Sequence, residues 1–338
     1  MNNNYYFPQQ APPPQYNPWV RPEPMGAERG QMKKIGNRLG VGMLVYIVVA
    51  FLLSFLMLFG RKAGLWDEQQ DYILDQAIMA GIYILYILIP FILYYKICGF
   101  RMNQLSLHRP RKGFFIPAAA FGAGLAFLSN IPNNIVVNLI GLTGYEPIQP
   151  DLPVDQSSTV SIVLYLVSIA VLPALLEEFV CRGLILQPLR KYGDWPAIFI
   201  SSGIFALLHM NFSQILFAFI IGVFTAFLVI KTGSIWTGVA IHFLNNLIAG
   251  GLSLAPDGLS ETKQALFGLG LLSAAFLITL LSFLILRLKD RSFFSAKTLF
   301  RREFTTAKSM GVLLATPCMI IGMILLFLLS FISMQKVG

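Results

Sequence analysis

A chain of 338 residues that is 56% hydrophobic and 12% charged, with a mean hydropathy of +0.69, is too apolar for an ordinary soluble domain, where about a quarter of residues are charged. It reads as an all-α, polytopic membrane protein. The formal net charge of +9 would suit nucleic acid, but the basic residues fall in blocks between apolar runs, so the positive-inside pattern displaces that partner in favour of a lipid bilayer.

Residues 1–38, opening MNNNYYFPQQAPPPQYNPW, offer no apolar period and read as a disordered Pro/Asn/Gln-rich cytoplasmic tail. Within it the Pro-rich stretch 8–24 reads as unstructured spacer before it reads as a partner-binding segment. The first apolar run, 39–60, is longer than a signal peptide's core of roughly 7–15 residues. At ~1.5 Å per residue it reaches about 33 Å, enough to cross the hydrocarbon. Further spans are expected at 72–98, 114–142, 159–189, 195–210, 212–230, 234–252, 263–286 and 311–331. The total is eight or nine, because the segments between 195 and 230 could form a short tilted or re-entrant pair. Asn130, Pro132, Asn133 and Asn134 interrupt the third span, whose outer part is expected at the interface or bent inward. This divides the chain into the tail, N-terminal helices over 39–158, a core over 159–252 and C-terminal helices over 253–338.

Loop charges set the orientation. Segment 96–112 carries Lys96, Arg101, Arg109, Arg111 and Lys112 with no acid, and 287–308 is also strongly basic, so both are expected inside. Loop 143–158 carries Glu146, Asp151 and Asp155 with no base, and 253–263 carries Asp257 and Glu261 against Lys263, so both are expected outside. Nine alternating spans from a cytoplasmic N-terminus place all four loops accordingly.

Ionisable residues at membrane depth are expensive and usually face a cavity. Here they cluster between Glu177 and Asn246, at helical spacings. Glu177 and Glu178 lie about 100° apart on a helix, so Glu178 can pair with Arg182 at i,i+4 while Glu177 stays free to face a cavity as a general base toward water. Taken alone, this pattern is equally compatible with a helix-end ion pair. Phe205 shares a face with His209, its ring shielding the site or orienting the imidazole, and His242 shares one with Asn246. His242 and Asn246 together could donate to a developing oxyanion, or the two histidines could hold a metal such as zinc with Glu177 or Glu178, though no cofactor is firmly expected. His108 lies among basic loop residues and reads as solvated. Cys98, Cys181 and Cys318 are scattered, with no CxxC spacing, and give neither a disulfide framework nor a thiolate metal site. Neither His-Glu-x-x-His nor Gly-x-Ser-x-Gly is present, and Ser201-Ser202-Gly203 is a weak nucleophile candidate.

The three groups make a site only at a common depth. With 159–189 as one tilted or kinked helix bent near Pro173, Glu177 lies about 20 Å from its inner end. His209 lies about 21 Å from Trp195, and His242 about 12 Å from Ser234. All three fit one layer, placed toward the cytoplasmic half.

Glu-Glu-x-x-x-Arg as EEFVCR at 177–182, Phe-x-x-x-His as FALLH at 205–209 and His-x-x-x-Asn as HFLNN at 242–246 occur in order on successive apolar segments. In this the sequence resembles the CAAX protease and bacteriocin-processing (Abi) family of intramembrane endopeptidases. The resemblance covers about 160–250. It implies a helical membrane fold with a catalytic cavity open to the cytosol, and as substrate a membrane-associated protein or peptide. By the same resemblance Glu177 would activate water, His209 would assist, His242 with Asn246 would hold the oxyanion, and Glu178 and Arg182 would support. It leaves open a metal-dependent and a metal-free glutamate mechanism. The alternatives are a non-catalytic scaffold or immunity-type protein, and a transporter whose pathway includes 130–134.

Overall fold

A computed structural model describes residues 25–67, 71–148, 154–254, 260–296, 299 and 304–336. The Pro-rich stretch 8–24, Asp151, Asp257, Lys297, Arg301, Arg302 and Glu303 lie outside them. The described chain is helical almost throughout, as lipid demands: hydrocarbon offers no partner for backbone N–H and C=O groups, so a spanning segment must satisfy its own. The helices are α1 (Met25–Lys62), α2 (Tyr72–Ile97), α3 (Phe115–Leu128), α4 (Asn130–Gly141), α5 (Thr159–Tyr192), α6 (Asp194–Leu208), α7 (Phe212–Thr232), α8 (Ile235–Ser253), α9 (Glu261–Lys289), α10 (Thr306–Leu314) and α11 (Pro317–Ser330). Seven helical segments are long and apolar enough to cross a membrane, counting α3 and α4 as one, and α10 with α11 forms a bent eighth. The chain is thus an all-α, multi-pass integral membrane protein, apart from one short ribbon in which Tyr145–Pro147 pairs antiparallel with Met334–Lys336.

Three expectations need correction. The first helix starts at Met25, so 25–38 is not tail. Met32 and Ile35 extend the stripe of Leu39, Met43 and Tyr46 at three- and four-residue spacing, and all five are buried against the bundle. Gly40 lets α1 touch the backbone of Cys318 and Met319, where a methyl would clash. The span expected at 311–331 is bent by 85° between α10 and α11. Thr316, preceding Pro317, is held extended (φ −108°, ψ 144°), the conformation a following proline favours. The segment 195–210 is a helix of 15 residues, ~22 Å long and too short to cross alone; it is buried on most of its surface at the centre of the bundle.

Hydrogen bonds assign the loops to two ends. At one end the Arg111 N–H donates to Thr232 O (2.9 Å), Ile235 N–H to Ser106 O (3.1 Å) and the Ser234 hydroxyl to His108 O (2.6 Å), while Arg111 pairs with Asp290 at 2.7 Å. This end carries the basic loops 96–112 and 287–296. At the other end Arg61 pairs with Asp75, Gln76 donates to the Ser161 hydroxyl, Tyr165 bonds Ser253, and the ribbon joins the chain after α4 to the chain after α11. One strand follows the third helical pass and the other the ninth, counting the short α6 as a pass, and both odd counts bring the strands to the same end.

Candidate active site

The geometry of the site begins with two prolines in α5. Thr159–Tyr192 is not a uniform α-helix: it widens into π-helical turns at Val167–Val171 and Phe179–Leu186, each stopping just before a proline, Pro173 and Pro188. A proline has no N–H to return to the carbonyl four residues back, and wide turns are one way a helix absorbs that loss. For Pro173 the stranded carbonyl is Ile169 O, and Asn246 on α8 donates its Nδ2 to it at 2.8 Å. Asn245 in turn donates to Asn246 Oδ1 at 3.0 Å, fixing the amide. The expected bend at Pro173 thus takes the form of a widened turn docked onto α8.

Between the two wide regions stand Glu177 and Glu178, and their neighbours separate their roles. Glu178 and Arg182 are both almost fully buried, with Nε and Oε2 3.2 Å apart, the i,i+4 pair expected from the spacing. Arg182 also donates to Gly222 O at 3.2 Å and lies 4.4 Å over the Phe205 ring. A guanidinium buried this deeply is held by a carboxylate, a carbonyl and a π face together. Gly238 permits the approach of α8, since a methyl there would strike Glu178 Oε2.

Glu178 Oε1 faces His242 Nδ1 at 3.3 Å. A carboxylate oriented on one imidazole nitrogen fixes the ring and directs the other nitrogen outward. That other nitrogen, His242 Nε2, lies 3.9 Å from Glu177 Oε2, and His209 Nε2 lies 4.0 Å from the same oxygen. His209 follows the last residue of α6, and its Nδ1 sits 2.8 Å from Phe205 O. A carbonyl can only accept, so Nδ1 carries the proton and a neutral His209 presents an unprotonated Nε2. Phe205 meets both imidazoles edge-on, at 4.9 Å for His209 and 5.6 Å for His242. The ring expected to orient one histidine therefore stands between both and Arg182.

Tyr83 of α2 completes the arrangement and had no counterpart in the sequence reading. Its hydroxyl donates to Glu177 Oε1 at 2.6 Å, which turns Oε2 toward the histidines, where it is buried and has no hydrogen-bond partner among the described residues. Tyr86 packs edge-on against Tyr83 and Tyr46. Phenols three residues apart within an apolar span, each needing a partner for its hydroxyl, were the available signal.

Glu177, Glu178, Phe205, His209, His242 and Asn246 line one cavity of about 820 Å³, with Tyr83, Tyr86 and the amides of Asn130, Asn133 and Asn134 on its walls. Arg182 lies beneath its floor. Among the described residues no group of three His, Cys, Asp or Glu side chains is arranged to hold a metal ion. Zinc bonds of ~2 Å would require each nitrogen and Oε2 to lie on opposite sides of the ion, not at tetrahedral angles. Separations of 3.9 and 4.0 Å instead leave room for one small polar molecule between Glu177 Oε2 and an imidazole nitrogen.

Residues 159–248 match a family described as Rce1-like, type II CAAX prenyl endopeptidase. The segment is similar to that family, and it contains every motif on which the resemblance rests. No curated protein and no solved structure matches the chain.

Proposed function

We propose that this chain is an intramembrane endopeptidase that hydrolyses a peptide bond in a membrane-associated protein or peptide, with a glutamate-activated water. The observation that carries the reading is the convergence of Glu177 Oε2 with the Nε2 atoms of His209 and His242, at 4.0 and 3.9 Å, on the floor of a cavity inside the bundle. Similarity to a family of prenyl endopeptidases over 159–248 supports the same reaction class.

In this reading a water held among the three atoms gives its proton to Glu177 Oε2 as its oxygen bonds to the scissile carbonyl carbon. His209 Nε2 accepts from the water and orients it. His242 enters the step already carrying a proton on each nitrogen, Nδ1–H toward Glu178 and Nε2–H toward the developing oxyanion, so it donates hydrogen bonds without transferring a proton. Asn246 uses one amide N–H on Ile169 O and keeps a second for that oxyanion. Collapse of the tetrahedral intermediate breaks the C–N bond, and the proton on Glu177 passes to the leaving amine. Glu178 and Arg182 hold His242 in place.

Cleavage in membranes by Glu177→Ala, His209→Ala and His242→Ala variants tests this reading. Each is expected to lose about 10²–10⁴-fold; full activity in all three removes it. The metal-free form predicts that chelator leaves cleavage unchanged, and loss of activity restored by zinc would assign Glu177, His209 and His242 to a metal instead.

A further inference from the structure

We infer that α1 holds an anionic phospholipid, its headgroup phosphate among Lys33, Lys34 and Arg38 and an acyl chain in the groove between α1 and α2. None of the residues that form this site lines the cavity around Glu177, so the inference stands apart from the protease reading.

The polar half of the site is a notch at the bend between α10 and α11. A methyl at Gly36 or Gly40 would strike the backbone of Leu313 or of Cys318 and Met319, so α1 lies directly against the bend. There the chain turns by 85°, and Ala315, Thr316 and Pro317 enclose a space of about 430 Å³ with Lys33, Lys34, Asn37 and Arg38. Asn37 Oδ1 accepts from the Cys318 N–H at 3.1 Å, which leaves its NH2 as a further donor on the wall. Residues 29–38 include Arg29, Lys33, Lys34 and Arg38 and no acid. Among the described residues no carboxylate pairs with any of the three cations at the notch. Such a cluster attracts an anion and repels the ammonium of a zwitterionic headgroup.

The apolar half continues from Arg38 along the same helix face. Val41, Gly42 and Val45 follow it at three, four and seven residues, and they line a groove of about 210 Å³ with Pro90, Leu93 and Ile97 of α2. From Arg38 to Val45 the groove extends about 10 Å, and Val41, Leu93 and Ile97 are exposed along it. Arg38 stands at the junction: it lines both spaces and hydrogen-bonds the Cys98 thiol just past α2. The apolar run of α1 begins at Leu39, so the cations lie at headgroup depth and the groove at the depth of acyl chains. Free phosphate would fill only the notch, and a neutral lipid only the groove. The ligand that satisfies both is a lipid of net negative charge.

The test uses the full chain, delipidated in a nonionic detergent, with dioleoylphosphatidylglycerol as probe and native mass spectrometry to count the lipid bound. One phosphatidylglycerol is expected to bind saturably and in preference to phosphatidylcholine of the same chains. Lys33→Gln with Lys34→Gln, and separately Arg38→Gln, should weaken binding by about fivefold for each cation removed. Val41→Trp, which fills the groove and leaves the cations in place, should weaken it as well. Equal binding of the two lipids, or full binding by the charge variants, overturns the inference. Loss in the charge variants with none in Val41→Trp also overturns it, because diffuse attraction to a basic segment would then account for the binding. Displacement of the lipid by an equal concentration of inorganic phosphate overturns the lipid as ligand. Melting in lipid-free detergent checks that each variant folds, and Leu93→Trp, on the opposite wall, carries the groove test if Val41→Trp does not.

Discussion

Two carboxylates inside this bundle are treated in opposite ways. Asp75, near the start of α2, is 1% exposed and fully engaged: Arg61 donates to both its oxygens at 2.7–2.9 Å and Trp66 donates to Oδ1 at 2.9 Å. Glu177, partway along α5, keeps one oxygen on Tyr83 and leaves the other buried without a partner, facing two imidazoles. A satisfied carboxylate joins helices. A carboxylate held half-satisfied is an unfavourable arrangement that only the surrounding packing maintains, and such groups gather where chemistry is done.

Glu177→Gln should show the largest effect. It keeps the shape and an acceptor for Tyr83 but cannot take a proton at Oε2, so cleavage falls by about 10²–10⁴-fold while thermal stability in detergent holds or rises. A comparable fall in stability would mean that Glu177 is a joint like Asp75. Asp75→Ala should do the reverse, costing about 2 kcal/mol by removing the partner of Arg61 and Trp66. A protein equally stable without it would erase the contrast.

Asn246 lies between these two classes, and Pro173 gives a means of sorting it. Asn246→Ala leaves Ile169 O without its side-chain donor, at about 1–3 kcal/mol. In a Pro173→Ala background the new N–H can serve that carbonyl, so the stability cost of Asn246→Ala should largely disappear. Activity read on the same four proteins separates the roles: a defect that vanishes with the stability cost makes Asn246 a positioning residue, and one that persists places its second N–H on the substrate.

Much of this was legible because helical spacing is local. Glu178 with Arg182 and Phe205 with His209 follow from the 3.6-residue period, and the apolar runs located the spans. Counting depth along three helices correctly put Glu177, His209 and His242 in one layer. The same count could not show which side chains, such as Leu184 and Val229, close the bundle beside that layer, because that depends on contacts across helices. Tyr83 was missed for a related reason: it lies 94 residues from Glu177, and nothing in YILYI names its partner. The start of α1 was missed because Met32 and Ile35 sit among Arg29, Lys33 and Lys34, whose charges mask a stripe of period 3.5.

The smallest expected effect extends the contrast to a carboxylate outside the bilayer. Asp290, just past α9, pairs with Arg111 from the loop before α3. The hydrogen bond from Arg111, then that from Ser292, holds its carboxyl at about 2, below the usual 3.8. Because the folded value is the lower one, the tie is fully present above about pH 4 and is lost as pH falls toward 2. Both partners are partly exposed, so it contributes no more than about 1 kcal/mol. The melting temperature of Asp290→Asn should therefore fall slightly below that of the parent at pH 6, and the gap should narrow and close between pH 4 and pH 2. Asp75→Ala offers the comparison: a gap at Asp290 as large as the one at Asp75 would mean that burial is not what separates the carboxylates that join helices from those that merely decorate their ends.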